Sequence, residues 1–364
     1  MNIKTNNIVL SAFNILLIIL SASACSSTAE KPQETIYYPA LPNAPRIQFL
    51  TSFSTDRDLT GKDSGFSNFV LGEDVKKDSL ISKPYGVAFY KNKLYVVDIR
   101  GPGYAVFDFN KNKTYTINGS GNGRIKKPIN IDIDQQGSIF ITDTARNQIL
   151  QFDEQDNFVR TFGNGKEFKP SDVAASTDKL FVSDVKNHKI HVLDKSSGKI
   201  LYSFGKSGSK KGELLYPTNL ELASDGFLYI SDTGNSRIYK TTQAGKFLQH
   251  YGQVGSGLGQ FARPKGVTVD EKGRIYVVDA AFENIQVFNP DGKLLLFFGG
   301  KESAADRLIL PADIEIVSSN FEYFTRYADA DFKVEHILLV SNQFGTNKVH
   351  IYAYGKKAGM EYKN

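Results

Sequence analysis

Seven side chains that end in oxygen donors recur at a fixed spacing: Asn130 and Asp132, Asp172, Asn219 and Glu221, and Asp313 and Glu315. Each stands two or four residues after a proline, namely Pro128, Pro170, Pro217 or Pro311. Amides and carboxylates with no histidine or cysteine among them are hard donors. If they converge, they suit Ca²⁺, Mg²⁺ or a cationic ligand. The bland alternative is a water-filled channel, where any polar side chain is comfortable. Other familiar chemistry is missing, because the chain has no G-x-S-x-G, phosphate loop, C-x-x-C or haem-attachment motif. His188, His191, His250, His336 and His350 fall outside the recurring positions, which disfavours a zinc site and leaves them structural or surface roles.

The elements that must position these residues form a repeat. Its clearest copy is Lys127 to Phe152, which reads as strand, tight turn, strand, turn, strand, with Ile131 and Ile133 alternating with polar residues. A proline precedes each copy, at Pro84, Pro128, Pro170, Pro217, Pro264 and Pro311. Second strands end in aspartate at Asp98, Asp143, Asp184, Asp232 and Asp279, and residues 336–341 form a degenerate sixth. One copy cannot bury both of its faces, so the copies must stack. Six units of four strands predict an all-β, six-bladed β-propeller with blades starting near 84, 128, 170, 217, 264 and 311.

In a propeller the first strand of each blade borders the central channel. The period of two then divides its residues. Three and five residues after the proline come Val87/Phe89, Ile131/Ile133, Val173/Ala175, Leu220/Leu222, Val267/Val269 and Ile314/Ile316, which should pack between blades. Two and four residues after it come Gly86/Ala88, Asn130/Asp132, Asp172/Ala174, Asn219/Glu221, Gly266/Thr268 and Asp313/Glu315, which should face the channel. The strand-end aspartates precede tight turns, where a carboxylate accepts turn N–H groups, so their expected role is local.

The turn after the second strand resembles that of the NHL-repeat family, D-x-x-N-x-[RK]-I. Asp184 to Ile190 and Asp232 to Ile238 match it in full, Asp143 to Ile149 and Asp279 to Ile285 in part, and blades one and six depart further. The resemblance covers about 270 residues and implies the propeller fold more than a function. The sixth unit lacks a fourth strand, and the lone strand at 46–53, RIQFLTSF, is its expected donor, latching the ring.

Before that strand, Lys4 and the apolar run Ile8 to Leu20 read as an export signal. Ala22-Ser23-Ala24-Cys25 resembles a bacterial lipobox, which implies cleavage after residue 24 and a lipid on Cys25, the only cysteine. The alternative is an ordinary secretory signal with a chance cysteine. Ser26 after it favours the outer membrane, periplasmic or surface-exposed. The proline-punctuated stretch 25–45 reads as a flexible tether, 64–72 as a short helix and 356–364 as a polar tail.

The formal charge of +5 is too mild for a nucleic-acid partner. Basic residues nevertheless concentrate on the face that carries the turns after second strands and the links between blades, including Arg124, Lys126, Lys127, Arg146, Lys186, Lys189, Lys210, Lys211 and Arg237. That face suits an acidic protein, an anionic glycan or lipid headgroups, or it is simply solvated. On the opposite face, the aromatic insertion Ser318 to Glu335 is expected to be a lengthened hairpin packed on its blade, or else a partner anchor. These features favour a non-enzymatic, lipid-anchored envelope scaffold that binds a protein or an anionic glycan, with no certain cofactor. The alternative resembles the gluconolactonase and arylesterase propellers: a divalent-metal-dependent hydrolase with Ca²⁺ in the channel near Glu221, Asn130, Asn219 and Asp172.

Overall fold

After each proline, residues alternate between β-branched or aromatic and smaller or polar types, and each run forms the inner strand of a blade. These strands are Pro84–Tyr90, Pro128–Ile133, Pro170–Ala175, Pro217–Leu222, Pro264–Val269 and Pro311–Val317. The computed structural model describes residues 35–60, 80–101, 103–300 and 303–362; Cys25, the signal segment and the expected helix at 64–72 lie outside them. Each inner strand pairs antiparallel with the next strand in sequence, and blades one to five run outward as four consecutive strands. The molecule is therefore the six-bladed β-propeller that the repeat predicts.

Blade six closes the ring. Its inner three strands are Pro311–Val317, Phe332–Asn342 and Val349–Lys357, and the fourth is Ile47–Phe53 from the other end of the chain. Ile47 lies opposite Tyr354 and Phe53 opposite Val349. The strand is anchored at both ends, since Ile47 and Phe53 are wholly buried. Part of the expected tether behaves differently: Tyr37–Tyr38 adds a fifth strand outside the latch. The Tyr37 ring packs 5.9 Å from that of Phe332, and the two tyrosine hydroxyls donate to Asp329 and Asp306. These two aromatic residues supply the apolar surface that the surrounding prolines obscure in the sequence.

Six apolar clusters fill the six seams between blades. Val87, Ile131, Val173, Leu220, Val267 and Ile314, the residues three places after each proline, fall one to a cluster. The residues five places after it follow the same rule. In the insertion, a helical turn at Glu322–Thr325 carries Phe324 into the seam between blades six and one, with its ring 5.7 Å from Phe89 and 5.2 Å from Phe109. These rings pack on the blade instead of waiting for a partner.

Candidate functional site

The innermost strand of a blade has no neighbour on its channel side, so its N–H groups there need acceptors. The channel carboxylates provide them, each for the next blade round the ring. Asp132 accepts from Ala175 N at 2.6 Å, Asp172 from Leu220 N at 2.7 Å and Asp313 from Val87 N at 3.1 Å. Glu221 accepts from the Thr268 hydroxyl and Val269 N in the same way. Asp132 and Asp172 also take the N–H of their own following residue, at 2.8 Å in both cases. Each of these side chains thus clips its blade to the next.

Blades one and five need glycine at the corresponding position. A Cβ on Gly86 would sit 2.7 Å from Asn130 Cα, and one on Gly266 would sit 2.6 Å from Asp313 Cα. Asn130 is itself buried, with its N–H bonded to Thr142 Oγ1 at 2.9 Å.

The structure brings six of the seven predicted residues to one cavity of about 210 Å³: Asn130, Asp132, Asp172, Glu221, Asp313 and Glu315. The seventh, Asn219, is 1% exposed and points its amide nitrogen at Asp313 Oδ1, 3.4 Å away. Its Oδ1 is buried without a partner. The cavity reaches the Asp134–Gln135 turn, so it opens toward the face of the first hairpin turns.

Loss of water dominates the electrostatics. Desolvation raises Asp132 to about 6, and it raises Asp313 to about 7. Glu221 rises to about 8, through desolvation and then the charges of Asp132 and Asp313. Asp172 is pushed well up by desolvation and by Asp313, and Glu315 by desolvation and by Glu221, Asp132 and Asp313. Glu315 differs from the others in having no hydrogen-bond donor among the described residues. Near neutral pH the cluster therefore holds protons that isolated carboxylates would have given up.

The donor chemistry is all oxygen and would suit Ca²⁺ or Mg²⁺. Among the described residues, no three of His, Cys, Asp and Glu come together closely enough to hold a metal ion without the amides. The histidines are structural. His191 bonds Asp184 and Ser203, at 3.0 and 2.7 Å, and buried His336 and His350 are both pushed down to about 4 by desolvation.

On the opposite face, the strand-end aspartates tie each turn to the link entering the same blade. Asp143 accepts from Lys126 N and Lys127 N as well as from Ala145 N and Arg146 N. Two members of the expected basic face prove to be part of this bracing. Arg146 donates to the carbonyls of Asn122 and Arg124, while Arg237 binds Asp232 at 2.8 Å and the carbonyls of Ser209 and Glu213. Arg124, Lys126, Lys127, Lys186, Lys210 and Lys211 remain exposed, and Lys189 is half-buried.

Sequence reasoning placed Thr268 on the channel side but did not pair it with Glu221, which accepts its hydroxyl. It missed Lys265, buried on the same strand and lowered to about 8 by desolvation and by the nearby charge of Arg263. A lysine one residue past the proline occurs only in blade five, and that was the available sign.

No protein-family model matches the chain. Over 211 residues it is 24% identical to SUPPRESSOR OF QUENCHING 1, chloroplastic, of Arabidopsis thaliana, covering 45% of this chain and 20% of that protein. The chain thus spans about a fifth of that relative. Among solved structures it resembles XC5397 of Xanthomonas campestris, a gluconolactonase, at 14% identity and a TM-score of 0.55 over 86% of this chain and 91% of that one. It also resembles virginiamycin B lyase from Staphylococcus aureus, at 14% identity and a TM-score of 0.52 over 75% and 95% of the two chains. What these share is the fold. At such identity the likeness reaches no individual site residue.

Proposed function

We propose that this chain is a non-enzymatic binding scaffold, exported and lipid-anchored through Cys25 to the bacterial envelope, with the outer membrane favoured. Its rigid NHL-like propeller presents a basic face to a protein or anionic glycan. The observation that carries this reading is the use of the channel carboxylates. Asp132, Asp172, Glu221 and Asp313 each accept a backbone N–H from the neighbouring blade. Such groups lock the ring and are poorly placed to act as mobile acids or bases.

A second reading, a divalent-metal-dependent lactonase or esterase with its site in the channel, draws support from the buried, unpartnered Asn219 Oδ1 and from Glu315. Assay of pure protein on δ-lactones and aryl esters, with Ca²⁺ and with chelator, decides between them. The scaffold reading expects no turnover above background and no shift in melting temperature with Ca²⁺. Metal-dependent turnover abolished by Glu315→Gln would replace it with the hydrolase.

A further inference from the structure

A further cavity lies on the basic face, between blades two and three. It measures about 540 Å³ and is lined by Thr144, Asn147, Gly165, Lys166, Phe168, Lys169 and Lys186. Three segments build it: the turn after the second strand of blade two, the link into blade three, and the equivalent turn of blade three. Phe168, 2% exposed, belongs to the apolar seam below and fixes the link. The volume is that of a small-ligand site.

Its charge is one-sided. Lys166, Lys169 and Lys186 are all exposed, and none has a carboxylate within ion-pair distance among the described residues. Glu167, the acid on the same link, accepts from Asn164 N and makes no ion pair with these lysines. A cavity of comparable size between blades five and six differs in holding carboxylates among its cations, with Lys272 on Glu335 at 2.8 Å and Arg274 on Asp270 at 2.5 Å. Three unpaired ammonium groups round one hollow concentrate a positive potential that an anion relieves.

The walls also carry acceptors. Thr144 Oγ1 donates its proton to Lys127 O at 3.1 Å, and Asn147 Nδ2 donates to Gly165 O at 3.2 Å. Both side chains line the hollow, and each keeps oxygen lone pairs that can receive hydroxyl protons. Ammonium donors beside hydroxyl acceptors describe a ligand that is both charged and polyhydroxylated. The polar concavity also lacks the exposed aromatic anchors that a protein partner would need.

We propose that the Lys166–Lys169–Lys186 hollow binds an acidic saccharide unit, its carboxylate or phosphate held by the lysines and its hydroxyls by Thr144 and Asn147. This rests on the scaffold reading and narrows its partner to a glycan. The test titrates the full chain with a galacturonate trimer, a neutral galactose trimer, a phosphorylated hexose and inorganic phosphate, by calorimetry at low and high salt. The expected result is binding of the two acidic sugars, no binding of the neutral trimer, and a loss of roughly tenfold or more in the Lys166→Ala/Lys169→Ala/Lys186→Ala variant. Thr144→Val should weaken the sugars several-fold and leave phosphate unchanged, whereas Lys91→Ala/Lys272→Ala should change nothing.

Unchanged affinity in the triple variant, equal binding of the neutral trimer, or inorganic phosphate matching the sugars would each overturn the proposal. Melting curves confirm that the variants fold. Lactone assays on the same preparation separate the two readings: absent sugar binding without turnover removes this site and leaves the scaffold, whereas turnover removes the scaffold.

Discussion

Replacing Glu221 by glutamine should make the protein more stable in alkali while leaving it nearly unchanged in acid. The unfolded chain releases this proton near the ordinary value of 4.5, and the native channel releases it near 8, chiefly because of burial. Between those values the native state binds more protons than the unfolded state, so stability falls as pH rises. The contribution is neutral below about pH 4.5 and most unfavourable above about pH 8. Each pH unit of displacement corresponds to about 1.4 kcal/mol, which sets a ceiling near ~5 kcal/mol for this group. Glu221 is only partly shielded from solvent, and its neighbours Asp132 and Asp313 titrate with it, so an observable effect of about 1–3 kcal/mol is the reasonable expectation.

The assay is urea denaturation at pH 5, 7 and 9. In wild type Asp132 and Asp313, which rise to about 6 and about 7, act in the same direction as Glu221 and lower stability as pH rises. Glu221→Gln should track it at pH 5, give or take the weaker amide contact with Thr268 and Val269, and exceed it at pH 9. Groups shifted the other way, His336 and His350 at about 4 and Lys265 at about 8, add stability as pH rises but act equally in wild type and variant, so the readout is the difference between the two profiles. Asp184 is lowered, its hydrogen bonds from His191 and Asn187 outweighing the desolvation that raises it. Its stabilisation disappears only as pH falls below the ordinary carboxylate range. Parallel wild-type and variant profiles, or a variant weaker at pH 9, would show that the channel does not strain these carboxylates.

Phe53→Ala removes a wholly buried ring whose centroid lies 5.8 Å from Phe107 and 5.4 Å from Phe109, and should cost about 3–5 kcal/mol by chemical denaturation; deleting 46–53 outright should collapse the fold, and a retained melting temperature would refute the latch. Gly86→Ala forces a Cβ against the Asn130 backbone and should cost about 1–3 kcal/mol, whereas Gly226→Ala, with a φ of +80° but open space around it, should cost less and by backbone strain alone. Arg237→Lys keeps the charge but loses the fork that spans Asp232, Ser209 and Glu213, so a loss of about 1–2 kcal/mol is expected where a purely solvated basic face would show none.

The repeat made the blades legible because its signal is redundant: a proline, two alternating apolar residues and a strand-end aspartate fix the phase of each copy. Asn130 and Asp132 could be assigned to the channel because strand alternation leaves them no other side. Their partners were not legible. Which N–H meets Asp132 depends on the stagger between blades, which places Ala175 across the seam, 43 residues away in sequence. Arg146 and Arg237 were misjudged for the same reason, since a basic side chain in a turn looks solvated until the carbonyls of the neighbouring link are seen to converge on it. Tyr37 and Tyr38 were hidden by composition, because two aromatic residues among prolines carry no period.

The fate of the charges separates architecture from function. Strand-end aspartates, the channel carboxylates Asp132, Asp172, Glu221 and Asp313, and two of the arginines are all engaged by neighbouring groups of the fold, and removing any of them should be felt as stability. The lysines at 166, 169 and 186 have no such partners. Their removal should cost little in folding, since exposed charges of one sign repel one another and bring no compensating contact. A residue whose loss leaves the fold intact has its reason elsewhere, and here that reason is most economically an anion. Two chemically distinct regions then lie on the two sides of the ring: an acidic, proton-holding channel mouth beside the first hairpin turns, and a lysine-lined hollow among the links between blades. A closed ring of six rigid seams holds both fixed, so ligand binding at the hollow should proceed without opening the propeller, and the pH dependence of stability set in the channel should leave galacturonate affinity at the lysines unchanged between pH 6 and 8, where that carboxylate stays ionised.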